Sequence, residues 1–181
     1  MSRFFNGSDL NHEGEYVYAK DFAAVPASPQ ANGPKVMIGG GAQKILTTAG
    51  RLADIVSLNF NNSDGKIGAV GIGSSTAEKT KEKIGWIKAG AGSRFDQLEL
   101  ELPAYFTTIT NEATSVRESM AENFGLSVEE LNEYPHALIG STEEICETLE
   151  QRREEYGFSY ISVNERHLEE FAPVVAKLSG K

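Results

Sequence analysis

Apolar residues fall in short runs along most of this chain, and each run is followed by a stretch with helical spacing. Val36 to Ile38 precedes a helical pattern from Lys44 to Leu52, and Asp54 to Leu58 forms the next run. Short apolar runs bounded by turn residues favour buried strands, and their alternation with helices is typical of parallel sheets. The pattern therefore predicts an α/β fold.

The same pattern predicts the elements that follow. Predicted helices occupy 76–89, 112–124, 128–134, 141–156 and a terminal segment through Leu178, and predicted strands occupy 98–109 and 158–163. A serine with glutamate three residues later, at Ser75, Ser127 and Ser141, indicates a capping box at three helix starts. Gly90 and Gly92 are read as helix terminators, and Pro135 as part of a connector.

The N-terminal region differs in composition from the rest of the chain. Residues 6–32 are rich in Gly, Asn, Pro and Ala around one alternating piece, Glu13 to Tyr18. Such a piece between turn-forming residues indicates a small ribbon followed by an extended arm. The predicted organisation is therefore a ribbon and connector over 1–33 and βα units over 34–181, within a single partial domain.

About four strands, each followed by a helix, make half of a (β/α)₈ barrel, which normally needs roughly 250 residues. An open half-barrel leaves an unpaired strand edge at each end and a wet inner face. The chain is therefore expected to form a homodimer or to bind a partner that supplies the missing half.

Composition narrows the possible partners. The chain has 181 residues and a net charge of −9, which opposes binding to nucleic acid or anionic lipid. No apolar run approaches the roughly 20 residues of a membrane span, and the start lacks the apolar region of a signal peptide, so a cytoplasmic location is expected. Cys146 is the single cysteine, which excludes an intramolecular disulfide and a structural zinc site, and core packing is predicted for it.

The strongest candidate for a ligand site is the glycine turn at Gly39, Gly40 and Gly41, between a predicted strand and helix. Glycine can adopt positive φ and lets the backbone approach a ligand, and a helix start offers free N–H groups to a phosphate. The Rossmann fingerprint fails because Lys44 stands where it needs glycine, and no P-loop lysine follows. A tight strand-to-helix turn without a ligand stays open as the alternative.

Four segments in combination resemble the luciferase-like monooxygenase superfamily, and within it the actinobacterial deazaflavin-dependent oxidoreductases. They are residues 33–41, 53–59, 83–87 and 135–145. Residues 13–16 are similar to the family's ribbon insertion before the fifth barrel strand. The resemblance thus implies the C-terminal half of a (β/α)₈ TIM barrel, with strands five to eight.

The resemblance also implies a function. A flavin- or deazaflavin-dependent oxidoreductase or monooxygenase would bind a small-molecule substrate, with coenzyme F420 as the expected coenzyme and FMN as the alternative. Gly39, Gly40, Gly41 and Ala42 match the phosphate-side turn, and Leu58 and Asn59 match the end of the next strand near the ring system. No catalytic acid or base and no metal ligand carries over.

Other chemistry has little support in the sequence. His12, His136 and His167 lie far apart, which argues against a triad or metal site, and His136 is expected to have a polar capping role. Asn59, Thr110 and Asn164 are further candidates because they follow strands, whose carboxyl ends form the active face of a barrel.

Two functional hypotheses stay open at this point. The first is the coenzyme-dependent oxidoreductase, whose coenzyme would supply the reactive group. The second is a non-catalytic or truncated half-barrel that acts as a cofactor-binding or structural subunit. A bulky β-branched residue at Gly40 is expected to abolish coenzyme binding while leaving the fold intact.

Overall fold

A computed structural model describes residues 5, 7–23, 25–63, 65 and 68–180. The chain divides after Val36 into two compact units. The first unit holds an antiparallel ribbon of β1 (Leu10–Glu13) and β2 (Tyr18–Phe22). A ribbon was predicted here, but Glu13 to Tyr18 forms its turn end, where the Gly14 N–H donates to the Val17 carbonyl at 3.0 Å.

The second unit is a parallel α/β structure, which confirms the predicted fold class. Its strands are β3 (Met37–Gly40), β4 (Ile55–Leu58), β5 (Glu99–Ala104), β6 (Phe106–Ile109), β7 (Ala137–Gly140) and β8 (Phe158–Val163). Its α-helices are α1 (Gln43–Leu52), α2 (Ala69–Gly73), α3 (Ala77–Ala91), α4 (Ala113–Phe124), α5 (Val128–Asn132), α6 (Thr142–Tyr156) and α7 (Leu168–Leu178). Four strands form one sheet in the order β3-β4-β5-β8, and β6 pairs with β7. These four pairings are parallel, whereas the strands of the separate ribbon are antiparallel.

Two details of the strand prediction were wrong. The single strand predicted over 98–109 is broken at Tyr105, whose N–H turns back to donate to the Pro103 carbonyl at 3.0 Å. The segment read as a connector contains the buried strand β7, which pairs with β6. Four residues are too few to show a period, so the neighbouring Pro135 dominated the sequence pattern.

The main core lies between the sheet and helices α1 and α3. Its members include Leu46, Val56, Leu58, Ile87, Leu100 and Leu102. Gly50 of α1 and Gly90 of α3 let the two helix backbones touch, since a Cβ would lie 2.3 Å from the Ile87 carbonyl oxygen and 2.0 Å from that of Thr47, respectively. Gly90 therefore serves close helix packing, and the helix that it was expected to end continues to Ala91.

The capping predictions were partly confirmed. Complete capping boxes are present at Ser127 and Ser141, each closed by a glutamate three residues later. The box predicted at Ser75 was wrong, because Thr76 caps α3 by accepting from the Lys79 N–H at 3.4 Å. Ser75 is instead fully buried.

A buried arginine fixes the chain just before β7. The guanidinium of Arg152, on α6, donates to the carbonyls of Pro135 at 2.7 Å, Ala137 at 2.9 Å and Tyr134 at 3.0 Å. These bonds satisfy backbone groups that the burial of this segment takes away from water. Cys146, also on α6, packs in a buried cluster with Leu149, as predicted.

Candidate functional site

The glycine turn lies where the sequence placed it, between β3 and α1. Ala42 is the N-cap residue of α1, and no side chain caps the helix start. The first turn of α1 contains no acidic residue, whereas α6 begins with Glu143 and Glu144. The first N–H groups of α1 thus have no side-chain acceptor and face no local negative charge, which favours an anion at this position.

The positive φ expected of the three glycines was wrong. None of Gly39, Gly40 and Gly41 has a positive φ. Their role is close approach: a Cβ on Gly41 would lie 2.2 Å from the Phe60 carbonyl oxygen, and one on Gly40 would lie 2.3 Å from Ile45 Cγ2. A bulky residue at Gly40 is therefore expected to disturb both the packing and the binding of any ligand. This substitution cannot separate loss of folding from loss of binding.

Leu58 and Asn59, the other predicted contacts, have different environments. Leu58 pairs with Gly40 across the sheet, and its side chain is buried in the core under the helices. Asn59 follows it, and its N–H donates to the Gly40 carbonyl at 2.9 Å. Asn59 is therefore the one of the pair whose side chain lies beside the turn: a Cβ on Gly39 would be 2.6 Å from its Nδ2.

A buried lysine, which the sequence analysis did not single out, holds this strand end. Lys83 Nζ donates to the Asn59 carbonyl at 2.7 Å and to Ser75 Oγ at 2.6 Å. The side chain is buried, and among the described residues no carboxylate lies within ion-pairing distance of it. Desolvation lowers the pKa of Lys83 to about 8. The signal in the sequence was a lysine four residues before Ile87, on the apolar face of α3.

Polar side chains line the face of the sheet opposite the helices. Glu101 alternates with the core residues Leu100 and Leu102, so it points to this other face. Its Oε1 accepts from Ser162 Oγ at 2.5 Å, and its Oε2 is buried without a partner. We call Ser57, Asn59, Glu101, Tyr105 and Ser162 the polar face.

Asn59 joins this polar face to the strand break. The Tyr105 hydroxyl donates to Asn59 Oδ1 at 2.6 Å, and Asn59 Nδ2 donates to Ser57 Oγ at 3.1 Å. Burial and the neighbouring Glu101 raise the pKa of Tyr105, so its hydroxyl keeps its proton at neutral pH. One bonded chain of side chains thus runs from the β4 end to the β5 end.

The other two predicted strand-end residues have local roles. Thr110 Oγ1 accepts from the Glu112 N–H at 3.0 Å, and the Thr110 N–H donates to the Gly140 carbonyl. Asn164 Oδ1 accepts from the Arg166 N–H at 3.1 Å, which starts a short 3₁₀ turn. Asn164 also borders a cavity of about 210 Å³ that is lined by Pro103, Ala104, Tyr105, Ser162, Val163 and Asn164. Thr110 does not line it.

His136 belongs to the core rather than to a connector. Its ring centroid lies 4.8 Å from that of Phe60 and 5.2 Å from that of Tyr105, and its Nδ1 lies 2.8 Å from the Pro103 carbonyl oxygen. Desolvation lowers the pKa of His136 to about 3, so the neutral ring donates from Nδ1 to that carbonyl at pH 7. Its role is to join β7 to the end of β5.

Within the described ranges, no group of His, Cys, Asp and Glu side chains is arranged to hold a metal ion. In the same residues, every helix is too short or too polar to cross a bilayer.

Comparison with known proteins identifies the fold of this chain. Neither models of protein families nor curated protein sequences match this chain. Solved structures do: the coenzyme F420-dependent tetrahydromethanopterin reductase of Methanopyrus kandleri matches with 15% identity and a TM-score of 0.65, over 98% of this chain and 59% of the reductase.

Two monooxygenases match in the same way. The long-chain alkane monooxygenase LadA has 16% identity and a TM-score of 0.64 over 93% of this chain and 46% of its own. The EDTA monooxygenase of Chelativorans sp. BNC1 has 14% identity and a TM-score of 0.63 over 94% of this chain and 50% of its own. The chain spans about half the length of these proteins. It therefore shares their fold and has the form of part of a TIM barrel.

Proposed function

We propose that this chain is the coenzyme-binding part of a flavin- or deazaflavin-dependent oxidoreductase, with the coenzyme phosphate at the glycine turn. The observation that carries the proposal is the start of α1, which has neither a capping side chain nor an acidic residue in its first turn. A phosphate would accept from these N–H groups and interact favourably with the helix dipole. Ala42 is exposed at this point, so the helix start is open to a ligand.

The residues around the turn fit such a group in a second way. Lys83 is a buried cation that donates hydrogen bonds to two neutral groups, Ser75 Oγ and the Asn59 carbonyl beside the turn. Its charge would attract an anion at the start of α1 with little screening, because buried charges are poorly screened by salt. The bound coenzyme would supply the redox chemistry, while this chain would hold its phosphate and orient its ring near Asn59.

The identity of the coenzyme is proposed from resemblance and from the neighbours' names. The reductase of Methanopyrus kandleri is described as F420-dependent, and so is a secondary alcohol dehydrogenase with a TM-score of 0.63 to this chain. A riboflavin lyase with a TM-score of 0.60 was solved with a modified FMN. Coenzyme F420 is therefore our first candidate and FMN our second, and a small organic molecule is the expected substrate class.

The proposed enzyme needs further strands beside this sheet to complete a barrel. In the described residues the sheet ends at β3 on one side and β8 on the other, so neither outer edge is paired. Open parallel edges favour pairing with further strands. We propose that a second copy of the chain or a separate polypeptide supplies these strands, and the net charge of −9 argues against nucleic acid as the partner.

Native mass spectrometry tests assembly and coenzyme binding together. The purified chain is measured alone, with coenzyme F420 and with FMN. A complex that retains one of the two supports the proposal, and its mass reports whether one or two chains are present. Binding of neither coenzyme at any concentration tested contradicts it.

A pair of substitutions at Ala42 separates ligand binding from folding. Ala42→Asp adds a good N-cap to α1, worth about 0.5–2 kcal/mol, but places a negative charge where the phosphate would bind. We expect at least tenfold weaker coenzyme binding by isothermal titration calorimetry, with stability to urea equal or higher. Ala42→Asn is the matched neutral control, and equal loss of affinity in both variants would contradict a phosphate at this position.

The second candidate function is a half-barrel without catalytic activity of its own, as a cofactor-binding or structural subunit. It is favoured by the hydrogen bonds among the described residues beside the glycine turn, since the Lys83 amine is held by the Asn59 carbonyl and by Ser75 Oγ. A coenzyme-bound complex that neither reduces nor oxidises its coenzyme with any donor or acceptor tested would support this second function over the first.

A further inference from the structure

Two arginines bind the edge of β7 that faces away from β6. On the other edge, the Gly140 carbonyl accepts from the N–H of the residue that follows β6. Carbonyls of successive residues point to alternate edges of a strand, so those of Ala137 and Ile139 point away from β6. The Ala137 carbonyl accepts from Arg152 at 2.9 Å, and the Ile139 carbonyl accepts from Arg117 at 2.6 Å. These two carbonyls lie roughly 7 Å apart along the strand, so the arginines are neighbours on one edge.

The charge of Arg152 is not balanced by a carboxylate. Its side chain is 5% exposed, and it donates to three backbone carbonyls, which are neutral. Among the described residues, no carboxylate lies within ion-pairing distance of it. Desolvation lowers the pKa of Arg152 to about 10, so the group is still charged at pH 7. Three of its five N–H groups serve the carbonyls, which leaves two for a further acceptor.

The charge of Arg117 is balanced only in part. Its Nη2 lies 3.5 Å from Glu144 Oε1, which is longer than an ordinary hydrogen bond between these groups. The other oxygen of Glu144 accepts from the Ser141 N–H in the cap of α6. A partly buried positive charge with incomplete partners is stabilised by a further anion.

A cavity of about 220 Å³ has both arginines in its wall, and we call it the arginine cavity. The side chains of Asn132, Thr148 and Gln151 also line it, and none of its described lining residues is acidic. Guanidinium groups match the geometry of carboxylate and phosphate groups, and amide N–H groups can donate to the same oxygens. The volume is below that of a site for a drug-sized molecule, so it suits a small anion.

An acidic cavity adjoins the arginine cavity and limits where an anion can lie. It has a volume of about 710 Å³, and it shares Arg152 with its neighbour. Its wall also contains Glu133, Glu154 and Glu155, the last of which pairs with Lys81 at 2.7 Å. These carboxylates repel an anion, so its favourable position is the end where both arginines lie.

We propose that the arginine cavity binds a small oxyanion with two negative charges, a dicarboxylate or a phosphate. Its oxygens would accept from Arg117 and from the two N–H groups of Arg152 that the carbonyls do not use. The amide groups of Asn132 and Gln151 would donate to further oxygens. The glycine turn does not line this cavity, so the site is separate from that of the coenzyme and does not rest on the proposed function.

Nuclear magnetic resonance titration at constant ionic strength and pH 7.5 tests the site. Succinate, with two negative charges, is compared with monomethyl succinate, which has nearly the same size and one charge. We expect succinate to shift the backbone amide signals of Asn132, Thr148 and Gln151, with at least tenfold higher affinity than its monoester. Phosphate is the third probe, and the tighter binding of phosphate or succinate identifies the ligand class. The proposal is overturned if succinate binds no better than its monoester and phosphate shifts none of these signals.

Substitution of Gln151 tests the location of the site without removing an arginine. Gln151→Glu keeps the shape of an exposed side chain and places a carboxylate in the arginine cavity. We expect it to abolish succinate binding and to unfold at a higher urea concentration than Gln97→Glu. That control adds the same charge at an exposed position outside the cavity. Succinate binding of unchanged affinity in Gln151→Glu would overturn the proposal.

A second pair of variants tests the arginine itself. Arg117→Gln removes one of the two charges, and we expect at least tenfold weaker binding of succinate. Arg51→Gln, at an exposed position on α1, makes the same change in net charge and should leave the affinity unchanged. Equal loss in the two variants would show that succinate responds to net charge alone, which would overturn the site.

The same spectra separate this proposal from the proposed function. Phosphate that shifts the signals of Gly41 and Ala42, but not those of Asn132 and Gln151, would support the glycine turn and overturn the arginine cavity. The opposite pattern would support the arginine cavity and count against the glycine turn. If the signals of the arginine cavity shift on dilution without any probe, a carboxylate of a second chain fills it, and the small-molecule proposal is wrong.

Discussion

The junction from β3 to α1 and the junction from β7 to α6 are made from similar sequence. Each begins with a short parallel strand that contains an Ile-Gly pair. The strands end at Gly40 and at Gly140, and a helix follows each of them. The second junction satisfies its helix start internally: Ser141 Oγ accepts from the Glu144 N–H, and Glu144 Oε2 accepts from the Ser141 N–H. The first has alanine at the same place and no such bonds.

The two junctions differ in whether the chain itself supplies a negative charge at the start of the helix. At α6, the negative charge at the helix start belongs to the chain itself, and Arg117 lies 3.5 Å from the Glu144 carboxylate to balance it. At α1 the corresponding charge is missing, so an external anion would have to supply it. The open junction thus gives up a stabilising cap, which is typical of a position kept free for a ligand.

The largest effect that tests this comparison is expected at Gly41. Gly41→Val would place its Cβ 2.2 Å from the Phe60 carbonyl oxygen, a backbone atom that cannot rotate away. We expect a loss of roughly 3 kcal/mol or more in the free energy of unfolding, measured with urea. Gly85→Ala is the control: its Cβ meets nothing within 4 Å, so a gain of about 0.5–1 kcal/mol is expected. Equal effects would show that the turn is loosely packed.

The strand that leads into α6 begins beside His136, a buried neutral histidine, which makes the stability of the fold depend on pH. The pKa of His136 is lowered from 6.5 to about 3, so between these values the unfolded chain binds a proton that the folded chain does not. Stability is therefore lost as the pH falls from about 6.5 towards 3. Urea unfolding at pH 7 and pH 5.5 should show a steeper loss in the wild type than in His136→Asn, and parallel losses would contradict a buried neutral ring.

The smallest effect is expected from exchanging the caps of the two helices. Ser141→Ala should lower the free energy of unfolding by about 1 kcal/mol, and Ala42→Ser should raise it by a similar amount. Both values come from urea titrations at pH 7. If Ala42→Ser gives no gain, the N–H groups of α1 already have acceptors, and the contrast between the two junctions does not hold.

The sequence predicted the fold well where periodicity was long or capping was explicit. The helices from Thr142 to Tyr156 and from Ala113 to Phe124 begin and end close to where the pattern placed them. The strand β7 was missed because four residues carry no measurable period and because its pairing with β6 is a tertiary property. The break at Tyr105 depends on a bond to the Pro103 carbonyl, which residue type alone does not predict.

The candidate site was also predicted only in part from the sequence. The glycine turn was visible in the sequence, but its reason was not: close packing against Phe60 depends on the neighbouring strand, whereas φ is a local property. Lys83 and Glu101 were missed because charged residues are expected on the surface. Both are buried, and each bonds to a residue that is distant in the sequence, Lys83 to the Asn59 carbonyl and Glu101 to the Ser162 hydroxyl.

Lys83 also provides a chemical reporter of how this protein opens. The folded structure shields its amine from acylating reagents, and opening of the strand end removes the desolvation, so the amine then reacts like that of an exposed lysine. Acylation of Lys83 therefore requires the end of β4 to separate from α3, and its rate measures how often that happens. Exposed lysines such as Lys79 and Lys81 react without any opening and calibrate the reagent in the same sample. A peptide-level time course would thus report the breathing of the strand end that carries Asn59.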